Sequence, residues 1–196
     1  MKEIKVRITF TESVLGTAPQ NEDVYTDFIA SKAPDANTLE DEVATLGVDE
    51  VVEKGKTVFH KENGVPFLYD YQIRGFFKGA CGFLRTVPGM LSKDLKAYKK
   101  VIDGQIFVKE RKIFFQNYGT IKTLQRPLRA QTMQGERVSL AISEEIPAGA
   151  YMEFTILLLN PAHEDVVKEF LDYGTLSGIG QWRNASHGRF TWEEID

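Results

Sequence analysis

The sequence predicts an α+β domain built on an antiparallel sheet, and three observations carry that expectation. Residues 5–10 alternate polar and apolar side chains with a period of two, the mark of a half-buried strand. Ile73, Phe77, Cys81 and Leu84 recur at helical spacing, and Val166, Val167, Phe170 and Leu171 form a second apolar helix face. Between and after these helices lie runs of strand composition at 106–115, 138–142, 151–159 and 189–192.

A chain of 196 residues with 42% hydrophobic content is long enough for one domain with a real core and a sizeable insertion. Its net charge of −4 excludes a general polyanion binder, so any nucleic-acid site must be local. The lone Cys81 leaves no internal disulfide or cysteine-rich zinc site and fits a reducing cytoplasm; on an apolar helix face it reads as core. No signal-peptide core opens the chain, and no apolar run approaches the ~20 residues of a membrane helix. The expectation is a soluble cytoplasmic protein without membrane contact.

After the first strand, Leu15-Gly16-Thr17 opens a polar stretch, and an acidic insertion occupies about 16–56. Within 22–53 Lys32 is the only basic residue, and Asn37 caps a short helix carrying Leu39, Val43 and Leu46 and ended by Gly47. Acid runs of this kind read first as a solvated face. A short strand at 57–59 precedes the Asn63-Gly64 turn. In the helix that follows, Arg74, Lys78 and Arg85 flank the apolar stripe. Gly75, Gly79 and Gly82 each cost that helix roughly 1 kcal/mol against alanine. Such a cost points to close packing there, by a core strand or by a ligand backbone.

Residues 92–101 read as a lysine-rich helix ending in an Asp103-Gly104 turn, and 106–115 as a strand folded on itself in a hairpin. A basic, irregular segment then carries Lys122, Arg126, Arg129 and Arg137. Strands 138–142 and 151–159 are joined through Ile146-Pro147-Ala148-Gly149, and Asn160-Pro161 caps the last helix. With the final strand the order is β-α-β-β-α-β. This is the ferredoxin-like (RRM-like) arrangement, an antiparallel sheet with helices on one face, in a single domain over 1–196.

Between the last helix and last strand lies a glycine-rich loop holding Gly178, Gly180, Gln181, Trp182, Arg183, His187 and Gly188. Glycines let a backbone turn tightly and approach a ligand, and free amides can face an anion. Arginine adds a charged fork and tryptophan a face for a base. The loop is therefore a candidate nucleic-acid contact; the plainer reading is a tight connection packing Trp182 and Phe190 into the core. It is not a dinucleotide fingerprint, since it follows a helix and its third glycine is misplaced. Arg74 and Lys78, with Gly75 and Gly79, read either as an exposed helix face or as phosphate contacts that position a strand without reading it. Arg126, Arg129 and Arg137 could cover such a strand.

Three of these segments resemble the RAMP superfamily, the RNA-binding proteins that build CRISPR effector complexes. The loop around Gly178, Gly180, Arg183 and Gly188 resembles that family's glycine-rich loop. The segment from Glu144 through Pro147 and Gly149 to Phe154 is similar to its E-x-hydrophobic-P-x-G-x-x-F hairpin. The run from Asp70 through Arg74, Gly75 and Lys78 to Ala80 is similar to its I-P-G-S-S-L-K-G helix start, with Tyr71-Gln72 standing where the family has I-P. Leu15-Gly16 resembles its L-x-x-G turn.

The resemblance implies a non-catalytic, self-assembling subunit packed along single-stranded, guide-type RNA, as a homo-oligomer or in a multi-subunit nucleoprotein complex. It implies RNA contacts from Arg74, Gly75, Lys78, Gly79, Arg126, Arg129 and the loop residues. An alternative is a phage- or prophage-type module that mimics or docks on a CRISPR or other nucleoprotein assembly; the net acidity favours it. A second alternative is a ribonuclease. Its candidates are His187, as a base on a ribose hydroxyl, and Asp23 or Asp27, placed after the first strand as in subunits that cleave target RNA. His60, His163 and His187 have no metal-ligand partners at helical or hairpin spacing, and no cofactor or metal is expected.

Overall fold

The computed structural model describes residues 1–20, 56–132 and 135–196, with only the backbone course given for 128–140. Asp23, Asp27 and the expected helix at Asn37–Gly47 lie outside the described residues. What is described is α+β and divides into two compact units.

The first unit is built on a four-stranded antiparallel sheet. Its strands are β1 (Lys2–Phe10), β7 (Ile106–Val108), β11 (Tyr151–Leu158) and β12 (Phe190–Glu194), in the order β12-β1-β11-β7. The expected alternation places Ile4, Val6, Ile8 and Phe10 of β1 in the core. In register with them stand Ile156, Phe154 and Met152 of β11, while Phe10 faces Phe190 of β12. Two helices cover this apolar side. Helix α1 (Asp70–Leu84) buries Ile73, Phe76, Phe77, Ala80, Cys81 and Leu84. Helix α3 (Glu164–Ser177) buries Val166, Val167, Phe170, Leu171 and Gly174. Phe76 packs edge-on against Phe190, and Phe77 meets Phe170. Each fully buried phenylalanine stabilises the fold by about 1.5–3 kcal/mol. At Gly174 an added Cβ would lie 2.1 Å from the Phe190 ring, so α3 can seat on β12 only where it has no side chain.

The opposite side of the sheet is polar and cross-linked between strands. Arg7 of β1 bonds Glu153 of β11 at 2.6 Å and reaches Glu193 of β12 at 3.3 Å. Lys109, just after β7, pairs with Glu3 at 3.3 Å. Period-two alternation thus sorts one side to the helices and the other to water.

Several local expectations need correction. The Asn63-Gly64 turn, with both residues at positive φ, closes a hairpin of β5 (His60–Glu62) and β6 (Val65–Tyr69). Strand β6 was hidden in the sequence because it runs without a break into α1. Gln72 accepts the Tyr69 backbone N–H at 2.8 Å, and there the chain changes from strand to helix. The lysine-rich helix is a 3-10 turn (Leu91–Asp94) followed by α2 (Tyr98–Gln105), so Asp103-Gly104 lies inside the last helical turn. Residues 106–115 are not a hairpin: β7 pairs with β11, whereas β8 (Lys112–Phe114) pairs with β6. Asn160 caps a 3-10 turn ahead of α3, accepting from the Ala162 N–H at 3.1 Å.

In the second unit, the segment expected to be irregular is a long antiparallel hairpin of β9 (Lys122–Thr132) and β10 (Gly135–Ile146). Backbone pairing regularises a stretch whose side chains show no clean alternation. Strand β10 continues in parallel with β4 (Lys56–Val58), which pairs antiparallel with β3 (Ala18–Pro19). A Cβ on Gly16 would lie 2.4 Å from the Val58 carbonyl carbon, which explains the glycine after Leu15.

Candidate nucleic-acid interface

The glycine loop is a closed structure. Its neck is sealed by the Ile179 N–H donating to Gly188 O at 2.9 Å, and it is docked by the Gly188 N–H donating to Ser13 O at 2.7 Å. Gly178 and Gly188 both have positive φ, 71° and 76°. A Cβ on Gly188 would fall 1.8 Å from Ile179 O, and one on Gly178 would fall 2.5 Å from Gly188 carbonyl carbon. These two glycines exist so that the two arms of the loop can cross. Gly180, 3.3 Å from Leu15 O by the same construction, fits the loop to the turn after β1.

The crossing pushes residues 181–187 outward. A 3-10 turn at Arg183–Ala185 is flanked by Trp182 and Ser186, both in the left-handed region. Non-glycine residues held there cost of order 1–3 kcal/mol each and need surroundings that over-determine them. Part of that support is visible: the Trp182 ring stacks on His187 at 5.1 Å between centroids and 17° between planes. His187 Nδ1 sits 2.9 Å from Ser13 Oγ. Trp182 remains 40% exposed, so the expected packing of this ring into the core does not occur, whereas Phe190 is fully buried. Gln181 is half-buried beside it.

Two sequence-distant motifs meet at this point. The Arg183 guanidinium lies 3.9 Å from where a Cβ on Gly79 would be, and nothing else approaches that position. Gly75, one turn earlier on α1, has nothing within 4 Å. The third helix glycine differs, because a Cβ on Gly82 would sit 3.3 Å from the Tyr98 hydroxyl. Lys78 stands between the open positions, its Nζ bonded to Asp103 at 2.8 Å. Arg74 bonds Asp70 at 3.0 Å, and its buried Nε has no hydrogen-bond partner. The result is an exposed stretch of helix backbone edged by Lys78, Arg74 and Arg183.

The other candidates stand apart from this group in kind. Arg126, on β9 of the second unit, is 7% exposed and bonds Ser143 Oγ at 3.3 Å. Burial lowers its pKa from the ordinary arginine value. Arg129 and Arg137 lie on β9 and β10, their side chains undescribed. Among the described residues no three of His, Cys, Asp and Glu gather as they would to hold a metal. Among them, too, no helix is long and apolar enough to cross a membrane.

Sequence reasoning missed Tyr71 and Arg111. Tyr71 lies one helical turn before Gly75, so extending the stripe backward would have found it. Arg111, reaching Asp70 across 41 residues of sequence, leaves no local signal.

No family model matches the sequence, and no curated protein matches it. A solved chain titled as the type III-B Cmr-beta bound to cognate target RNA aligns with 99% of this chain at TM-score 0.54 and 9% identity. This chain spans 58% of that one. A chain of a type IV-B CRISPR complex aligns over 99% of this chain and 90% of its own length, at TM-score 0.47 and 12% identity. At such identities the likeness concerns the fold alone: this chain shares its fold with a chain of the type III-B Cmr-beta structure.

Proposed function

We propose that this protein is a non-catalytic, self-assembling subunit of RAMP type that packs along single-stranded, guide-type RNA. The observation that carries the reading is the placement of Arg183 over Gly79, beside Lys78 and the open Gly75. A bare helix edge flanked by cations admits a phosphate backbone, and it would position a strand without reading its sequence. Trp182, stacked on His187 and exposed, offers a face to an adjacent base.

The fold reading that goes with this is ferredoxin-like. Its units are β1, α1, β7, β11, α3 and β12, and the spatial order of the last, first, third and second strands supports it. We read the whole chain as one elaborated domain with an acidic insertion over about 16–56. The fold shared with a chain of an RNA-bound CRISPR complex supports assembly on RNA. A second reading, a module that docks on such an assembly, is favoured by one observation: Arg74 and Lys78 are already paired with Asp70 and Asp103.

The test is purification without nuclease, followed by the A260/A280 ratio and gel filtration at low and high salt. The RNA reading expects a high ratio and a large species that shrinks as salt rises. Lys78→Ala and Arg183→Ala should abolish it. A nucleic-acid-free protein that ignores added single-stranded RNA overturns the reading in favour of docking.

A further inference from the structure

Where β6 passes into α1, three aromatic rings form a column that ends in solvent. His60 lies against Tyr69 with centroids 4.9 Å apart, and Tyr69 stacks on Tyr71 at 5.3 Å and 18°. Tyr71 closes the column with 48% of its surface exposed. Residues two apart in a strand share a face, whereas Tyr69 and Tyr71 straddle the strand–helix junction, and the change in backbone brings their rings parallel. The Arg111 guanidinium lies 5.0 Å from the Tyr69 centroid and 5.6 Å from that of Tyr71, within cation–π range. Its side chain is 65% exposed and is anchored by Asp70, a carboxylate it shares with Arg74. One carboxylate between two guanidiniums leaves this corner with a net positive charge.

Tyr71, Gly75 and Gly79 follow at i, i+4 and i+8 along α1, so they lie on one stripe with a rise of about 6 Å per step. Aromatic columns inside proteins are closed at both ends by packing. This one instead has a half-exposed outer ring, a cation at its side, and a bare helix edge leading away from it toward Arg183. A nucleobase supplies what such a terminus takes: a flat π-face for the ring, and a phosphate for the cation.

We propose that Tyr71 and Arg111 form a base-stacking site at the far end of the α1 stripe. There an unpaired base of single-stranded RNA stacks on Tyr71 while its phosphate meets Arg111. This rests on the RNA-binding reading and assigns it a second anchor, remote from the glycine loop. Stacking on a ring is tolerant of base identity, so the site adds affinity and register without selecting sequence.

The experiment measures fluorescence anisotropy with a labelled oligouridylate and with an abasic strand of the same length. It uses wild type, Tyr71→Ala, Tyr71→Phe and Arg111→Gln, each first checked by thermal melting. The expected result is that Tyr71→Ala weakens oligouridylate binding about tenfold and leaves the abasic strand unchanged. Tyr71→Phe retains binding, and Arg111→Gln weakens both strands. Equal loss on both strands with Tyr71→Ala, or no loss on oligouridylate, overturns the stacking site. In either case the RNA reading survives if Lys78→Ala and Arg183→Ala still abolish binding. Wild type that binds neither strand overturns both.

Discussion

The loop glycines and the α1 glycines look alike in sequence and answer opposite demands. Gly178 and Gly188 are occupied positions: the protein's own backbone fills the space that a side chain would need. Gly75 and Gly79 are vacant ones, with open surroundings apart from one guanidinium. The first pair serves the fold. The second weakens a helix without serving any packing among the described residues, and positions of that kind are where a ligand is expected. The difference teaches that glycine density alone does not mark a binding loop; what a Cβ would meet is the discriminating quantity.

The largest effect expected from this comparison is on stability. Gly188→Ala puts a methyl group 1.8 Å from Ile179 O at positive φ, and should destabilise by about 3 kcal/mol or more. Thermal melting measures it, and a near-normal melt would mean the loop arms separate easily. Gly75→Ala runs the other way. With nothing within 4 Å, it should stabilise α1 by about 1 kcal/mol while weakening RNA binding, a split between melting and binding that a purely structural glycine would not give.

A finer discriminator is salt. If Lys78 exchanges Asp103 for a phosphate, Lys78→Ala should flatten the slope of log K against log salt by about 0.7. An unchanged slope would leave Lys78 as part of a surface ion pair only. The smallest effect concerns His60, whose burial beside Phe67 and Tyr69 holds its pKa below the ordinary 6.5. Below pH 6.5 the unfolded chain then binds more protons than the folded one, so stability falls as pH drops from 6.5 through the folded pKa. Melting midpoints between pH 5 and 7.5 should show this decline, and His60→Phe should reduce it.

Much of the first unit was legible in the sequence because its elements carry their own periodicity. The alternation in β1 and the apolar faces of α1 and α3 each require one solution. The β9–β10 hairpin was not legible as regular structure, because its order comes from backbone pairing and not from side-chain pattern. Strand β6 was lost for a different reason: Val65–Tyr69 is too short to separate from the helix it feeds. Within the site, the cations and glycines were readable as residue types. Their partners were not: Asp103 for Lys78, Gly79 for Arg183 and Ser13 for His187 are set by tertiary folding. Arg126 shows the limit of reading charge as exposure, since a strand position buried it beside Ser143.

The place of β1 in its sheet has a consequence for how the chain is made. It is the first strand to be synthesised, yet both its neighbours come late, β11 from Tyr151 and β12 from Phe190. At ribosomal rates of about 5–20 residues per second, Ile4, Val6, Ile8 and Phe10 wait on the order of ten seconds for their partners. Pairings that distant in sequence also close slowly once the residues exist. During that interval the nascent chain carries an apolar strand with two open edges, and a chaperone with affinity for such strands would find its target in the first ten residues.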